Sequence, residues 1–204
     1  MFFGTFNPIH VGHLIIANHM ADHTDLEQVW LVVTPQNPMK KKSTLLADHH
    51  RLAMARRALE YNTRLKVSDI EFHLPKPSFT VNTLAYLQEK HPEHEFALIM
   101  GEDNIRTLHK WKNSEVIVGN HEIYVYPRAF TPEELTELEE QSGGLNVGHA
   151  DRLGDKARVH LVDAPVMRVS ASFIRKSIKE EKDVRYLLTE PVYEYCTGMH
   201  FYEK

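Results

Sequence analysis

The sequence predicts an α/β protein built on a doubly wound parallel sheet, Rossmann-like, with helices on both faces. Short continuous apolar runs, of the kind that strands buried on both faces show, alternate with helically spaced segments about six times. Glycine and proline fall at the ends of those runs, where the chain must turn. The length of 204 residues, 42% hydrophobic and 25% charged, suits one sizeable core. A single domain over 1–204 is expected, with 172–204 a helical C-terminal part of it.

The first strand is Met1-Phe2-Phe3, ending at Gly4. It is short for a buried strand, which suggests that the natural start lies a few residues upstream. A turn follows at Gly4 and Pro8, then a helix through Leu14-Ile15-Ile16-Ala17. Val29–Val33 is the second strand, broken by Thr34-Pro35. Helical spacing runs from Asp48 to Tyr61 through Leu52, Ala55 and Leu59. Leu65–Ser68 alternates like a strand. Thr80–Lys90 is a helix on Val81, Leu84 and Leu87, and Phe96–Met100 is a buried strand ending in Gly101. Ile105 and Leu108 suggest a short helix up to Trp111. Ile123–Tyr126 is a strand stopped by Pro127. Thr131, Pro132 and Glu134 spell a helix start with a capping box. Val159–Val162 is the last strand. A helix begins near Ser172, and Thr189-Glu190-Pro191 opens a terminal helix that Gly198 stops.

Composition removes several function classes. Net charge is −4, which gives no general attraction for nucleic acid. No apolar run approaches the ~18 residues that cross a bilayer, and no signal peptide is visible. One cysteine, Cys196, excludes an internal disulfide, fits a cytoplasmic setting and reads as a small packing residue. Asp22, Asp25, His49 and His50 are metal-ligand types at no standard zinc spacing, so no protein-held metal is expected. Arg51, Arg56 and Arg57, at helical spacing among acids, read as surface ion pairs of little energetic weight.

The chemistry concentrates at strand ends. Gly4-Thr5-Phe6-Asn7-Pro8-Ile9-His10-Val11-Gly12-His13 joins the first strand to the first helix. A helix start carries unpaired N–H groups and the positive end of a dipole, so anions settle there. Gly12 lets a phosphate approach the backbone, and two imidazoles stand three residues apart. Val169-Ser170-Ala171-Ser172-Phe173-Ile174-Arg175 follows the last strand: a serine that can cap or donate, then an arginine able to fork onto the same phosphate. The first loop, the Gly101 turn and the Ser172 helix start all lie at strand C-termini, where open α/β sheets bind ligands.

The first stretch resembles the signature of the nucleotidyltransferase superfamily, roughly Gly-x-Phe-x-Pro-x-His-x-Gly-His, with every fixed position present. The second resembles its Ile-Ser-Ser-Thr-x-Ile-Arg hallmark. From Gly4 onward the chain is most similar to the bacterial nicotinate-mononucleotide adenylyltransferases. That family's Pro-His-Lys loop appears as Pro38-Met39-Lys40, without its histidine and with Lys41 and Lys42 beside it. Its Pro-Ser-Tyr-Thr-x-Asp-Thr segment appears as Pro77-Ser78-Phe79-Thr80-Val81-Asn82-Thr83, with an amide at Asn82 in place of a carboxylate. Its Ile-Gly-x-Asp segment appears as Met100-Gly101-Glu102-Asp103, followed by Lys110-Trp111.

The resemblance implies adenylyl transfer from ATP to nicotinate mononucleotide, releasing pyrophosphate, with Mg²⁺ held mainly by the phosphates. His10, His13, Lys40 and Arg175 are the implied catalytic residues. Gly4, Thr5, Phe6, Gly12, Gly101, Asp103 and Ser172 are implied in ATP binding. Thr80, Asn82, Thr83 and Trp111 are implied in holding the mononucleotide, Trp111 by stacking on its ring. Backbone N–H groups near Thr83 and Trp111 would tell the ring carboxylate from an amide. Other acceptors (nicotinamide mononucleotide or phosphopantetheine), a catalytically silent nucleotide binder, and a metal-binding module using some of the 14 histidines stay open at this stage. Oligomeric state is not encoded legibly.

Overall fold

A computed structural model describes residues 1–35, 45–129, 136 and 157–203. Lys40 with its neighbours, and the helix start at Thr131, fall outside the described residues. In chain order the described elements are β1 (Phe2–Gly4), α1 (Val11–His23), β2 (Val29–Val33), α2 (Asp48–Ala58), β3 (Leu65–Ser68), α3 (Thr80–Lys90), β4 (Leu98–Gly101), α4 (Glu102–Thr107), α5 (Ser114–Asn120), β5 (Ile123–Tyr126), β6 (Val159–Leu161), α6 (Ala171–Lys179) and α7 (Glu190–Gly198). Single 3₁₀ turns lie at Ile70–Phe72, Leu108–Lys110 and Arg185–Leu187.

The strand order is β3-β2-β1-β4-β5-β6, the doubly wound order that the alternation predicts. The chain forms two compact units: Phe2–Ser78 with Met167–Lys204, and Met1 with Phe79–Val166.

In the first unit β1, β2 and β3 run parallel, with Phe2 opposite Leu31 and Val29 opposite Leu65. Val29, Leu31, Val32 and Val33 are all buried, which is why β2 reads as a continuous apolar run. Helix α1 buries Ile16, Ala17, Met20 and Ala21, a face at helical spacing. Helix α7 starts with Pro191 in its first turn after Thr189 and packs on α2. There the Cys196 thiol meets the Met54 sulfur at 3.4 Å, Tyr195 Oη lies 2.9 Å from His50 Nδ1, and the Arg57 guanidinium sits over the Tyr195 ring. Burial pushes the Cys196 thiol up to about 12, so it is a packing residue and no nucleophile.

In the second unit β4, β5 and β6 run parallel, with Leu98 opposite Ile123 and Ile123 opposite Val159. Strand β4 is buried throughout, whereas His160 and Leu161 of β6 face solvent. Helix α5 was not expected. Its Val116-Ile117-Val118 run is β-branched and favours strand. It forms because Asn113 takes the left-handed conformation, φ 49°, and turns the chain into it, while Ile117 and Val118 reach the core.

Arg51 corrects the sequence reading. It is 0% exposed and is no surface pair. Arg56 does behave as expected, pairing with Asp69 in solvent. Among the described residues no helix is long and apolar enough to cross a membrane.

Candidate active site

In the first unit the Gly4–His13 loop is stiffened from several sides. Gly4 lies so close to Phe6 that a Cβ would sit 2.8 Å from its ring. Phe6 takes a left-handed φ of 45°, uncommon for a bulky residue. Its ring meets that of His13 edge-on at 5.0 Å and that of Phe2 at 6.0 Å. At 1% exposure this side chain supports the loop from within, which leaves the Phe6 backbone as the part that could meet a ligand. Asn7, also buried, accepts from the Leu46 N–H and from the Tyr202 hydroxyl at 2.8 Å through Oδ1. Its carbonyl accepts from Arg175 Nη1 at 2.7 Å.

His10 is the N-cap of α1, and its ring stacks on His13 with centroids 3.7 Å apart. The His10 N–H donates to His13 Nδ1 at 3.2 Å. That bond fixes the neutral tautomer of His13: Nδ1 accepts, so the proton sits on Nε2 and makes that nitrogen a donor. His10 is 5% exposed, and burial pushes its pKa down to about 4. It is a neutral imidazole at neutral pH. Its Nδ1 is sealed inside the loop without a hydrogen-bond partner. Gly12 is required sterically: a Cβ there would meet Val169 Cγ1 at 2.7 Å.

The Ser170–Arg175 segment reaches the same loop through the Arg175–Asn7 bond. Ser170, and not Ser172, is the cap; its Oγ accepts from the Phe173 N–H at 3.2 Å. Ser172 is exposed and accepts from Arg175 Nη2 at 3.2 Å. Ile174 is fully buried and anchors the helix as expected. Gly4, Gly12, His10, His13, Ser172 and Arg175 are thus gathered around one loop.

In the second unit Thr80 and Asn82 stand in the first turn of α3, Asn82 exposed and Thr83 buried. Trp111 is half-buried, and the Lys112 ammonium lies 4.5 Å from the Phe79 ring, so the Trp111 segment neighbours the start of α3. The Thr83 N–H is committed to Phe79 O and the Trp111 N–H to Leu108 O. The donors a carboxylate could use at this helix start are those of Thr80 and Val81, which have no partner within the helix by geometry.

Asp103 is paired within the protein: its Oδ2 accepts from Arg128 Nη1 at 2.6 Å, and its Oδ1 is sealed against Gly101, where a Cβ would approach it to 2.6 Å. Burial first, then Asp103, pushes the Tyr126 hydroxyl up to about 12. Sequence reasoning missed Arg128, though a cation directly after the strand-ending Pro127 was the signal available.

Among the described helices three have no acid in their first turn: α1, α3 and α6. Helices α2, α4, α5 and α7 carry Asp48, Glu102 with Asp103, Glu115 and Glu190 there. The acid-free starts are those at which the sequence leads one to expect phosphate and mononucleotide contacts. An acid at a helix start satisfies the dipole internally; its absence leaves that end for an external anion.

Residues 1–177 match the cytidylyltransferase-like family. The chain is 56% identical over 203 residues, all of this chain and 97% of the relative, to the probable nicotinate-nucleotide adenylyltransferase of Christiangramia forsetii. It is 54% identical over its full length, and 98% of the relative, to that of Flavobacterium johnsoniae. The chain belongs to the cytidylyltransferase-like family. Within it, the chain groups with the nicotinate-nucleotide adenylyltransferases. The fold is also that of Plasmodium falciparum nicotinic acid mononucleotide adenylyltransferase complexed with NaAD, with TM-score 0.74, 18% identity, and 99% of this chain and 95% of that one covered.

The cluster His91, Glu93 and His94 brings three ligand atoms within 4.8 Å, but on the exposed turn after α3 and apart from every motif. A cavity of about 470 Å³ between Phe173 and Leu187 holds none of the expected site residues.

Proposed function

We propose that the protein transfers the adenylyl group of ATP to nicotinate mononucleotide, giving deamido-NAD and pyrophosphate, as a step of NAD biosynthesis. The observation that carries this reading is the acid-free start of α1, where His13 is held as an Nε2 donor against a neutral His10. The mononucleotide's phosphate is ionised at pH 7, so no general base is needed. Its oxygen attacks the α-phosphorus, the bond to the β-phosphate oxygen breaks, and pyrophosphate leaves with the electron pair. The protein's task is to align two mutually repelling anions and to stabilise charge on the α-phosphoryl and leaving groups.

His10 and His13 donate to α- and β-phosphate oxygens through Nε2, and being neutral they need no deprotonation. Arg175, held by Asn7 O and Ser172, takes the β- and γ-phosphates with Ser172. Lys40 bridges the substrate phosphate and the triphosphate, as the family resemblance implies. Gly101 lets the backbone come close to the adenosine. Thr80, Val81 and Asn82 face the mononucleotide, with Trp111 on its ring. The donor set fits Mg²⁺ held by the phosphates: the α1 and α6 starts offer N–H, imidazole and guanidinium groups and no carboxylate. Bound there, Mg²⁺ would neutralise polyphosphate charge. A cytoplasmic setting suits this reaction and the single, buried cysteine.

The test is pyrophosphate release and dinucleotide formation from ATP with nicotinate mononucleotide, nicotinamide mononucleotide and phosphopantetheine in parallel. Nicotinate mononucleotide is expected to turn over with much the highest kcat/KM. Equal turnover of the amide would remove the acid preference, and silence with all three would remove the enzyme reading.

A further inference from the structure

Arg51 is the largest fully buried side chain in the described protein that carries a charge. A guanidinium has five N–H donors, and here all five are used. Nε donates to Leu46 O at 2.9 Å; Nη1 to Thr5 O at 2.6 Å and Thr34 O at 2.7 Å; Nη2 to Pro35 O at 3.3 Å and Asp48 Oδ1 at 2.6 Å. Four of the five acceptors are backbone carbonyls of connecting segments. Thr5 lies in the phosphate loop. Thr34 and Pro35 follow β2, and Leu46 precedes α2, so Arg51 fixes both flanks of the stretch that holds Lys40 in the sequence. A second bond joins the same pieces, from the Thr34 N–H to Gly4 O at 2.9 Å.

Energetics do not explain such a group as a stabiliser. Burying an ion pair costs about as much as it returns, and apolar replacements of similar volume are often neutral or better. What a saturated planar fork supplies is geometry: it holds several carbonyls at fixed angles, which an ammonium cannot do. We propose that Arg51 is a positioning residue for adenylyl transfer, setting the Thr5 loop against the ends of β2 and α2 so that the loop takes ATP's phosphates in reactive alignment. The inference rests on the ATP-dependent function proposed above. Arg51 touches neither substrate, and its effect passes through the loop.

The test compares Arg51→Lys with Met54→Ala. The second variant empties a fully buried site on the same helix, beside Cys196, and removes none of the five bonds of Arg51. Both are assayed below their melting temperatures, with the folded fraction measured by circular dichroism. A misaligned reacting loop costs up to about 100-fold, so Arg51→Lys is expected to raise KM for ATP and lower kcat by about 10- to 100-fold together, while KM for the mononucleotide stays within about twofold. Met54→Ala is expected to lower the melting temperature and leave both KM values unchanged. Wild-type KM and kcat in folded Arg51→Lys, or equal shifts of both KM values, would overturn the proposal.

If Arg51→Lys does not fold, Asp48→Ala removes one of the five acceptors from a partly exposed site. It should move KM for ATP in the same direction by a few-fold, and an unchanged KM there overturns the proposal equally. A wild-type protein that fails to turn over ATP would count against the function and not against Arg51; a wild-type protein that works while both variants match it counts against Arg51 alone.

Discussion

At the end of β1 the chain enters a helix whose first turn holds no acid; at the end of β4 it enters one that opens with Glu102 and Asp103. Both strands end on a glycine that a neighbouring side chain crowds, Phe6 in one case and Asp103 in the other. The electrostatics then diverge. Glu102 and Asp103 are answered within the protein by Arg106 and Arg128, so that helix start is complete. The α1 start holds two imidazoles and no carboxylate, as the proposed phosphate contacts require. The same strand, glycine and helix sequence therefore ends in two different electrostatic states, set by the residues of the first turn.

The largest expected effect is on chemistry. His13→Ala should lower turnover ~10²–10³-fold, the cost of one lost transition-state donor, with the unfolding midpoint nearly unchanged; wild-type turnover would end the special standing of the β1 loop. Next is pH. His10 is held at about 4 by burial against 6.5 in the unfolded chain. Between those values the unfolded state binds more protons, so stability is fully present above 6.5 and is lost as pH falls toward 4, by up to ~3 kcal/mol. Urea unfolding at several pH values should show that slope in the wild type and a shallower one in His10→Asn.

Gly12→Ala should destabilise by ~1–3 kcal/mol through overpacking against Val169. Gly119→Ala, where a Cβ meets nothing within 4 Å, should be neutral or stabilise by up to ~1 kcal/mol; melting temperatures read both. Val11→Asp, which puts a charge into the first turn of α1, should weaken ATP by ~1–2 kcal/mol, about 5- to 30-fold in KM. Glu102→Gln should leave that KM alone, and equal effects would erase the contrast between the two helix starts. Smallest is Trp111→Ala, which should raise KM for the mononucleotide about 2- to 10-fold, the scale of one aromatic contact, and leave KM for ATP unmoved.

Much of this was legible in the chain. The bounds of β2, β3, α3 and β5 coincide with those read from the residue pattern, because each is a clean periodic run between turn residues. The loop motif placed His10 and His13 together on one helix start. Helix α5 was hidden because β-branched residues pack there for tertiary reasons that local propensity does not contain. Arg51 was misread for a related reason. Its spacing from Asp48 is that of a surface pair, while its other four acceptors are carbonyls, which every residue has and no side-chain pattern reveals. The pairing of Asp103 was hidden because its partner Arg128 arrives from the segment after β5, 25 residues away.

The bond from Tyr202 to Asn7 spans 195 positions. The hydroxyl that holds the asparagine of the imidazole loop comes from the turn after α7, so two stretches far apart in sequence share one fastening. Removing that single donor, as in Tyr202→Phe, should loosen a loop whose own residues are untouched.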